Sequence, residues 1–173
     1  MKAMILAAGL GTRLAPLTSN RPKPLVPVGN RPIIHRTITW LKSHGVDEIV
    51  VNTHHHQNQI RNYLDGGRPF GMKIHISEES EILGTGGGIR KTRWFWDNEP
   101  FVVVNGDILT DIDLSMAYQT HQKRGNLVTL VLHDFAPFNQ IKLNRRKDIL
   151  DINPTPAPGR FAFTGIHIMN LPV

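Results

Sequence analysis

Apolar residues fall in short blocks separated by polar, glycine-rich or proline-rich stretches. Residues 3–7 form a continuous apolar run, which predicts a buried strand. In residues 33–44, Ile34, Ile38 and Leu41 share one face at i, i+4 and i+7. That spacing predicts an amphipathic helix, and Gly45 follows as its stop. Residues 48–52 read as a second buried strand, 57–64 as a second helix closed by Gly66 and Gly67, and 73–76 as a third strand. Residues 86–93 read as helical. Residues 101–104, wholly apolar and rich in valine, predict a central parallel strand. Residues 113–124 predict a helix with Asp113 as its N-cap, followed by a strand over 127–132.

Strands alternating with helices at this spacing predict an α/β fold: a Rossmann-like, mainly parallel sheet flanked by helices. After Pro137 the pattern changes. Residues 140–143, 149–152 and 161–169 read as a small antiparallel β segment, with a rigid proline-rich loop over 153–159. One domain is expected over residues 1–173, divided into a core of 1–135 and a smaller portion of 136–173. In parallel sheets of this kind ligands sit at the carboxyl ends of the strands. Two polar constellations follow strands directly, one from Ala8 to Arg13 and the other at Asn105, Gly106 and Asp107. Both are expected on the same edge of the sheet.

Composition narrows the class. The 173 residues are 40% hydrophobic and 20% charged, enough for a packed core and without the long apolar run of a membrane span. Cysteine is absent, which excludes disulfides, thiolate metal sites and cysteine nucleophiles. A reducing cytoplasm is then the default compartment. The net charge is +6, from 20 Lys and Arg against 14 Asp and Glu. Seven of those cations precede Asp47, the first acid. They are spaced among Gly and Pro, without the interleaved aromatics of a nucleic-acid stripe. This suits a loop shaped around a compact anion, although most surface cations serve only solubility.

The loop Gly9-Leu10-Gly11-Thr12-Arg13 fails the dinucleotide fingerprint, because Leu14 stands where its third glycine belongs. No Walker lysine exists in the chain. Glycines nevertheless let backbone N–H groups approach phosphate oxygens, Arg13 offers a planar fork, and Lys23 offers a point charge held between Pro22 and Pro24. A tight turn bearing surface cations is the simpler alternative. Asp107, just beyond a buried strand and beside this loop, is placed to hold Mg²⁺ together with phosphate oxygens, or else to cap a turn. His54, His55 and His56 lack the acid or cysteine neighbour of a zinc site and read as a loop into the next helix. Trp94 and Trp96 read as packing residues.

Taken together, four ordered motifs resemble the sugar-1-phosphate nucleotidyltransferases. They are Leu6-Ala7-Ala8-Gly9-Leu10-Gly11-Thr12-Arg13, Pro22-Lys23-Pro24-Leu25, Leu83-Gly84-Thr85-Gly86-Gly87-Gly88 and Val104-Asn105-Gly106-Asp107. The resemblance implies the nucleotide-diphospho-sugar transferase type of fold, with a nucleotide-binding core over 1–135 and part of a sugar-binding portion over 136–173. It also implies transfer of a nucleoside monophosphate from an NTP to a sugar 1-phosphate, with Mg²⁺ as cofactor and no nucleic-acid or membrane partner. Arg13 would then stabilise the leaving pyrophosphate, Lys23 the attacked α-phosphate, and Asp107 would hold the metal. Ala7, Ala8, Gly9, Gly11, Thr12, Glu79, Gly84 and Thr85 would bind the nucleotide, and Asn105 and Gly165 the sugar.

Among such enzymes the chain looks most like the N-acetylmuramate-1-phosphate uridylyltransferases, with the mannose- and heptose-1-phosphate guanylyltransferases close behind. Glu79 leans the other way. A carboxylate only accepts hydrogen bonds, and guanine offers it two adjacent donors where uracil offers one. Glu79 also reads as a solvated acid beside Glu78 and Glu81. The family's Glu-Lys-Pro is missing, and Phe163 stands before Thr164-Gly165-Ile166 where relatives carry Asn or Glu. Relatives also run on to a later Asp that serves as the second metal ligand. Without that later segment, residues 161–169 are expected to form an exposed edge strand.

Overall fold

The structure, a computed structural model, describes residues 1–171. Four parallel strands form its centre: β1 (Lys2–Leu6), β4 (Glu48–Thr53), β5 (Lys73–Glu78) and β6 (Phe101–Asn105), in the order β5-β4-β1-β6. A two-stranded ribbon of β2 (Pro27–Val28) and β3 (Arg31–Pro32) stands apart. The helices are α1 (Ile33–Ser43), α2 (Gln57–Leu64), α3 (Gly84–Lys91) and α4 (Leu114–Arg124).

Both faces of the parallel strands are buried, which explains their continuous apolar runs. Ala3, Ile5, Ile49, Val51, Val102 and Val104 pack with Ile34, Ile38, Leu41, Ile60, Leu64 and Leu114 from α1, α2 and α4. The alternate positions Met4, Val50, Phe101 and Val103 pack on the opposite face with Ile89 of α3, Phe95 and Trp96. Trp96 stacks on Phe101 at 3.9 Å between ring centroids, whereas Trp94 lies at the surface. Asp113 caps α4 by accepting the Met116 N–H at 2.9 Å. α3 begins at Gly84, two residues before its expected start, and ends at Lys91; a separate short turn follows over Arg93–Phe95.

The later strands are β7 (Val128–His133), β8 (Ile141–Leu143), β9 (Ile149–Ile152) and β10 (Arg160–Met169). The expected mainly parallel sheet with antiparallel additions is present, but β10 is not an exposed edge. Its C-terminal half runs antiparallel between β6 and β7, and Ile166 and Ile168 are fully buried. The expectation failed because an apolar strand of this length finds partners on both sides within the chain itself. The short hairpin β8–β9 attaches to the start of β10 and carries the edge instead.

Candidate functional site

A cleft of about 470 Å³ opens at the carboxyl ends of β1, β4 and β6. The chain leaves β1 into the glycine loop, leaves β6 into Gly106 and Asp107, and brings Lys23 across from a proline-flanked turn. Ala7, Ala8, Gly9, Gly11, Thr12, Arg13, Lys23, Glu79, Gly84, Thr85, Asn105 and Asp107 all line this cleft. Gly165 does not line it. It lies behind Asn105, where an added Cβ would sit 2.9 Å from the Asn105 Nδ2, so its place is to leave room for that carboxamide.

Backbone approach shapes the floor. Gly106 packs so closely on β1 that a Cβ there would come within 2.8 Å of the Leu6 carbonyl oxygen. Its N–H donates to that same carbonyl at 2.9 Å, which ties the Asp107 turn to the glycine loop. The Thr18 hydroxyl, buried, donates to the Gly11 carbonyl at 2.9 Å and holds the far end of the loop. Lys23 Nζ donates to Asp107 Oδ2, and both side chains are partly exposed to the cleft.

Glu79 is no solvated acid: it is 2% exposed despite its acidic neighbours, because the chain turns it inward at the end of β5. Its Oε1 accepts from Asn52 Nδ2 at 2.8 Å and its Oε2 from the Leu83 N–H at 3.0 Å. Asn52 was not singled out from the sequence, where it reads as the polar end of an apolar strand. It is buried, lines the cleft, and lies opposite Leu6 in the β1–β4 register. A polar residue ending a strand beside the one that feeds the glycine loop is the signal that marks it. Leu10, Pro24 and Ile82 also line the cleft. In the histidine run, His54 Nδ1 pairs with the Glu79 carbonyl at 2.9 Å, and the His55 and His56 rings lie 3.9 Å apart.

Glycine loop, basic fork, ammonium and carboxylate thus converge on one anion-sized space, and the sequence carrying them matches a known family model, "Nucleotidyl transferase", over residues 2–140. The chain belongs to this family. It is 46% identical over 121 residues to an N-acetylmuramate alpha-1-phosphate uridylyltransferase of Neisseria meningitidis serogroup B, covering 69% of this chain and 52% of that protein. It is 36% identical over 140 residues to a D-glycero-alpha-D-manno-heptose 1-phosphate guanylyltransferase of Aneurinibacillus thermoaerophilus, covering 81% of this chain and 60% of that one. The chain therefore spans little more than half the length of these curated relatives. Among solved structures, HddC from Yersinia pseudotuberculosis superposes with a TM-score of 0.85 at 25% identity, over 98% of this chain and 76% of that one. Among the described residues, no helix is long and apolar enough to cross a membrane.

Proposed function

We propose that this nucleotidyltransferase moves UMP from UTP to the phosphate of N-acetylmuramate 1-phosphate, releasing pyrophosphate. A phosphate oxygen of the sugar phosphate attacks the α-phosphorus. The bond from that phosphorus to the bridging oxygen of the β-phosphate breaks, and pyrophosphate leaves with the electron pair. The nucleophile is already anionic at neutral pH, so no strong base is required. Positioning and neutralisation of charge carry the rate. The observation that carries nucleotidyl transfer is the convergence of Arg13, Lys23, Asp107 and the glycine loop on one cleft, and the 46% identity to the N-acetylmuramate enzyme favours this substrate pair.

That placement supports the following residue roles. Backbone groups from Ala7 to Thr12 surround the triphosphate. Arg13 takes the leaving pyrophosphate, whose two neighbouring oxygens suit a guanidinium fork. Lys23 takes the α-phosphate. Gly84, Thr85 and the buried Glu79 form the base end, while Asn105, with Gly165 behind it, stands toward the sugar. Asp107 is the residue to hold Mg²⁺: its carboxylate faces the cleft and already accepts an ammonium, so the position takes a cation. The carboxylate of Glu79 is committed to Asn52 and Leu83. When bound, the metal supplies charge neutralisation on the phosphates, and one carboxylate with substrate oxygens and water satisfies its coordination habits.

A second reading, guanylyl transfer to a mannose or heptose 1-phosphate, is favoured by the 36% identity to the heptose 1-phosphate guanylyltransferase. The test is a pyrophosphate-release panel of UTP, GTP, dTTP, ATP and CTP against these sugar 1-phosphates. Release with UTP and the muramate substrate supports the first reading, and release confined to GTP supports the second. Nucleotide binding with no product from any pair would reduce the protein to a binding module.

A further inference from the structure

The side chains of Asn52 and Glu79 join the two ends of the cleft through a chain of hydrogen bonds whose direction is fixed. The Ala7 N–H, in the glycine loop, is a donor and nothing else, so the atom of Asn52 that meets it at 2.8 Å is Oδ1. The other end of that carboxamide is then a donor, and it meets Glu79 Oε1 at 2.8 Å. The Leu83 N–H, at the entrance to α3, meets Glu79 Oε2 at 3.0 Å. Each link thus dictates the polarity of the next. Both side chains are buried, at 3% and 2% exposure, where an unmatched donor or acceptor is costly.

The packing around the pair has the same tolerance. A Cβ on Gly88 would come 2.9 Å from Asn52 Nδ2 and 3.1 Å from Glu79 Oε1. A glycine in α3 therefore leaves the space in which the two side chains meet. The backbone of Glu79 is held as well, by its N–H to the Thr53 carbonyl at 2.7 Å and by His54 on its own carbonyl. A residue fastened at this many points belongs to the frame of the cleft.

We infer that Asn52 is a positioning residue for nucleotide selection, acting with Glu79 as a polarity-matched relay that sets the Leu83–Gly84 base loop against the Ala7 phosphate loop. The inference rests on the reading that this cleft takes a nucleotide. It assigns Glu79 an orienting task, in place of direct reading of the base by its charge. The relay explains why position 79 is a carboxylate. A carboxamide there would turn its NH₂ toward either Asn52 Nδ2 or the Leu83 N–H, and both are donors. A carboxylate at position 52 would likewise face the Glu79 carboxylate. Making both changes together reverses the relay and satisfies it again. The new carboxylate accepts from Ala7 and from the new carboxamide, whose oxygen accepts from Leu83.

The experiment is equilibrium binding of UTP and of GTP to four proteins, wild type, Asn52→Asp, Glu79→Gln and the double variant, together with their melting temperatures. Each single variant is expected to lose roughly ten- to hundredfold in affinity for the preferred nucleotide, the size of one unmatched buried group. Its UTP-to-GTP affinity ratio should narrow, a readout that mere loss of stability in a protein still folded at the assay temperature does not move. The double variant is expected to return to within about threefold of wild type in affinity, through the non-additivity of two residues in contact, and to recover the ratio. A single variant that fails to fold beside a double variant that folds supports the relay equally. A double variant no better than Glu79→Gln would overturn it and give the carboxylate a direct role on the base. Single variants that bind as wild type does would also overturn it. If wild type binds neither nucleotide, the proposed function fails, and the four melting temperatures still report whether the relay exists.

Discussion

Lys23 donates from Nζ to Oδ2 of Asp107, a bond that spans 84 positions of sequence and links the proline-flanked turn to the end of β6 beside the cleft. It pairs the residue proposed to meet the α-phosphate with the one proposed to hold the metal. A partly exposed ion pair of this kind contributes only about 0–1 kcal/mol to stability. The contact a cation makes with the transition state is worth more, about 2.7–4 kcal/mol by comparison with loss of one oxyanion donor. Lys23→Ala should therefore leave the melting temperature near wild type and lower turnover by roughly 10²–10³. Lys23→Arg should not restore turnover, because a planar fork replaces a compact ammonium between two prolines. Wild-type turnover in Lys23→Ala would leave the phosphate site to the glycine loop and Arg13 alone.

Asp107→Asn keeps the shape and removes the charge. The variant should require a higher Mg²⁺ concentration for half-maximal transfer, and a Mn²⁺ titration followed by electron paramagnetic resonance should show weaker binding of the ion in the presence of nucleotide. Lys23, freed of its carboxylate partner, should not rescue the loss. An unchanged metal titration would remove Asp107 from the metal site.

Gly106→Ala probes how tightly the turn is built. The added Cβ meets the Leu6 carbonyl at 2.8 Å and the Ile5 side chain at 3.2 Å. Backbone must move, so a cost of about 1–3 kcal/mol is expected, as for other overpacked sites. Because the shift displaces Asp107, metal dependence should change along with the melting temperature. Gly9→Ala, where a Cβ meets nothing within 4 Å, should be far milder for the fold. Denaturant melts of the two variants make the comparison.

Much of this site was legible because parallel strands point their carboxyl ends one way. Once residues 3–7 and 101–104 were read as strands, Gly9 and Asp107 had to share an edge. Lys23 was legible as a cation held between two prolines near that loop, but its pairing with Asp107 was not, since no periodicity locates a turn relative to a distant strand. The burial of Glu79 was hidden, because its sequence neighbours are acidic while its spatial neighbours are Asn52 on β4 and Gly88 on α3. The position of β10 was hidden for a different reason. An apolar run announces a strand but not its direction or partners, and the pairing of Ile166 with Val104 joins segments far apart in the chain.

Acid should destabilise the fold through histidines that are wholly or partly buried. Burial pushes His167 down to about 4, and its Nε2 is buried without a hydrogen-bond partner. His121 is also held below its ordinary value by burial, as is His35, where Arg31 and Arg36 add to the effect. In the unfolded chain a histidine titrates near 6.5, so between that pH and 4 the unfolded state binds the extra proton. Stability is then fully present above about pH 6.5 and falls as pH drops toward 4, by at most ~1.4 kcal/mol per pH unit for His167. Urea midpoints measured across this range should show the slope, and His167→Phe should flatten it. A midpoint independent of pH would contradict the assignment.

The chemistry proposed for this cleft is attack at the α-phosphorus with departure of pyrophosphate. The deciding measurement uses UTP, and separately GTP, labelled with ³²P at the α-position, incubated with Mg²⁺, a sugar 1-phosphate and the protein. The label is expected to move into a nucleotide diphosphate sugar while the pyrophosphate released stays unlabelled. Label remaining wholly in the triphosphate with every sugar phosphate, or leaving only as free nucleoside monophosphate, would contradict it.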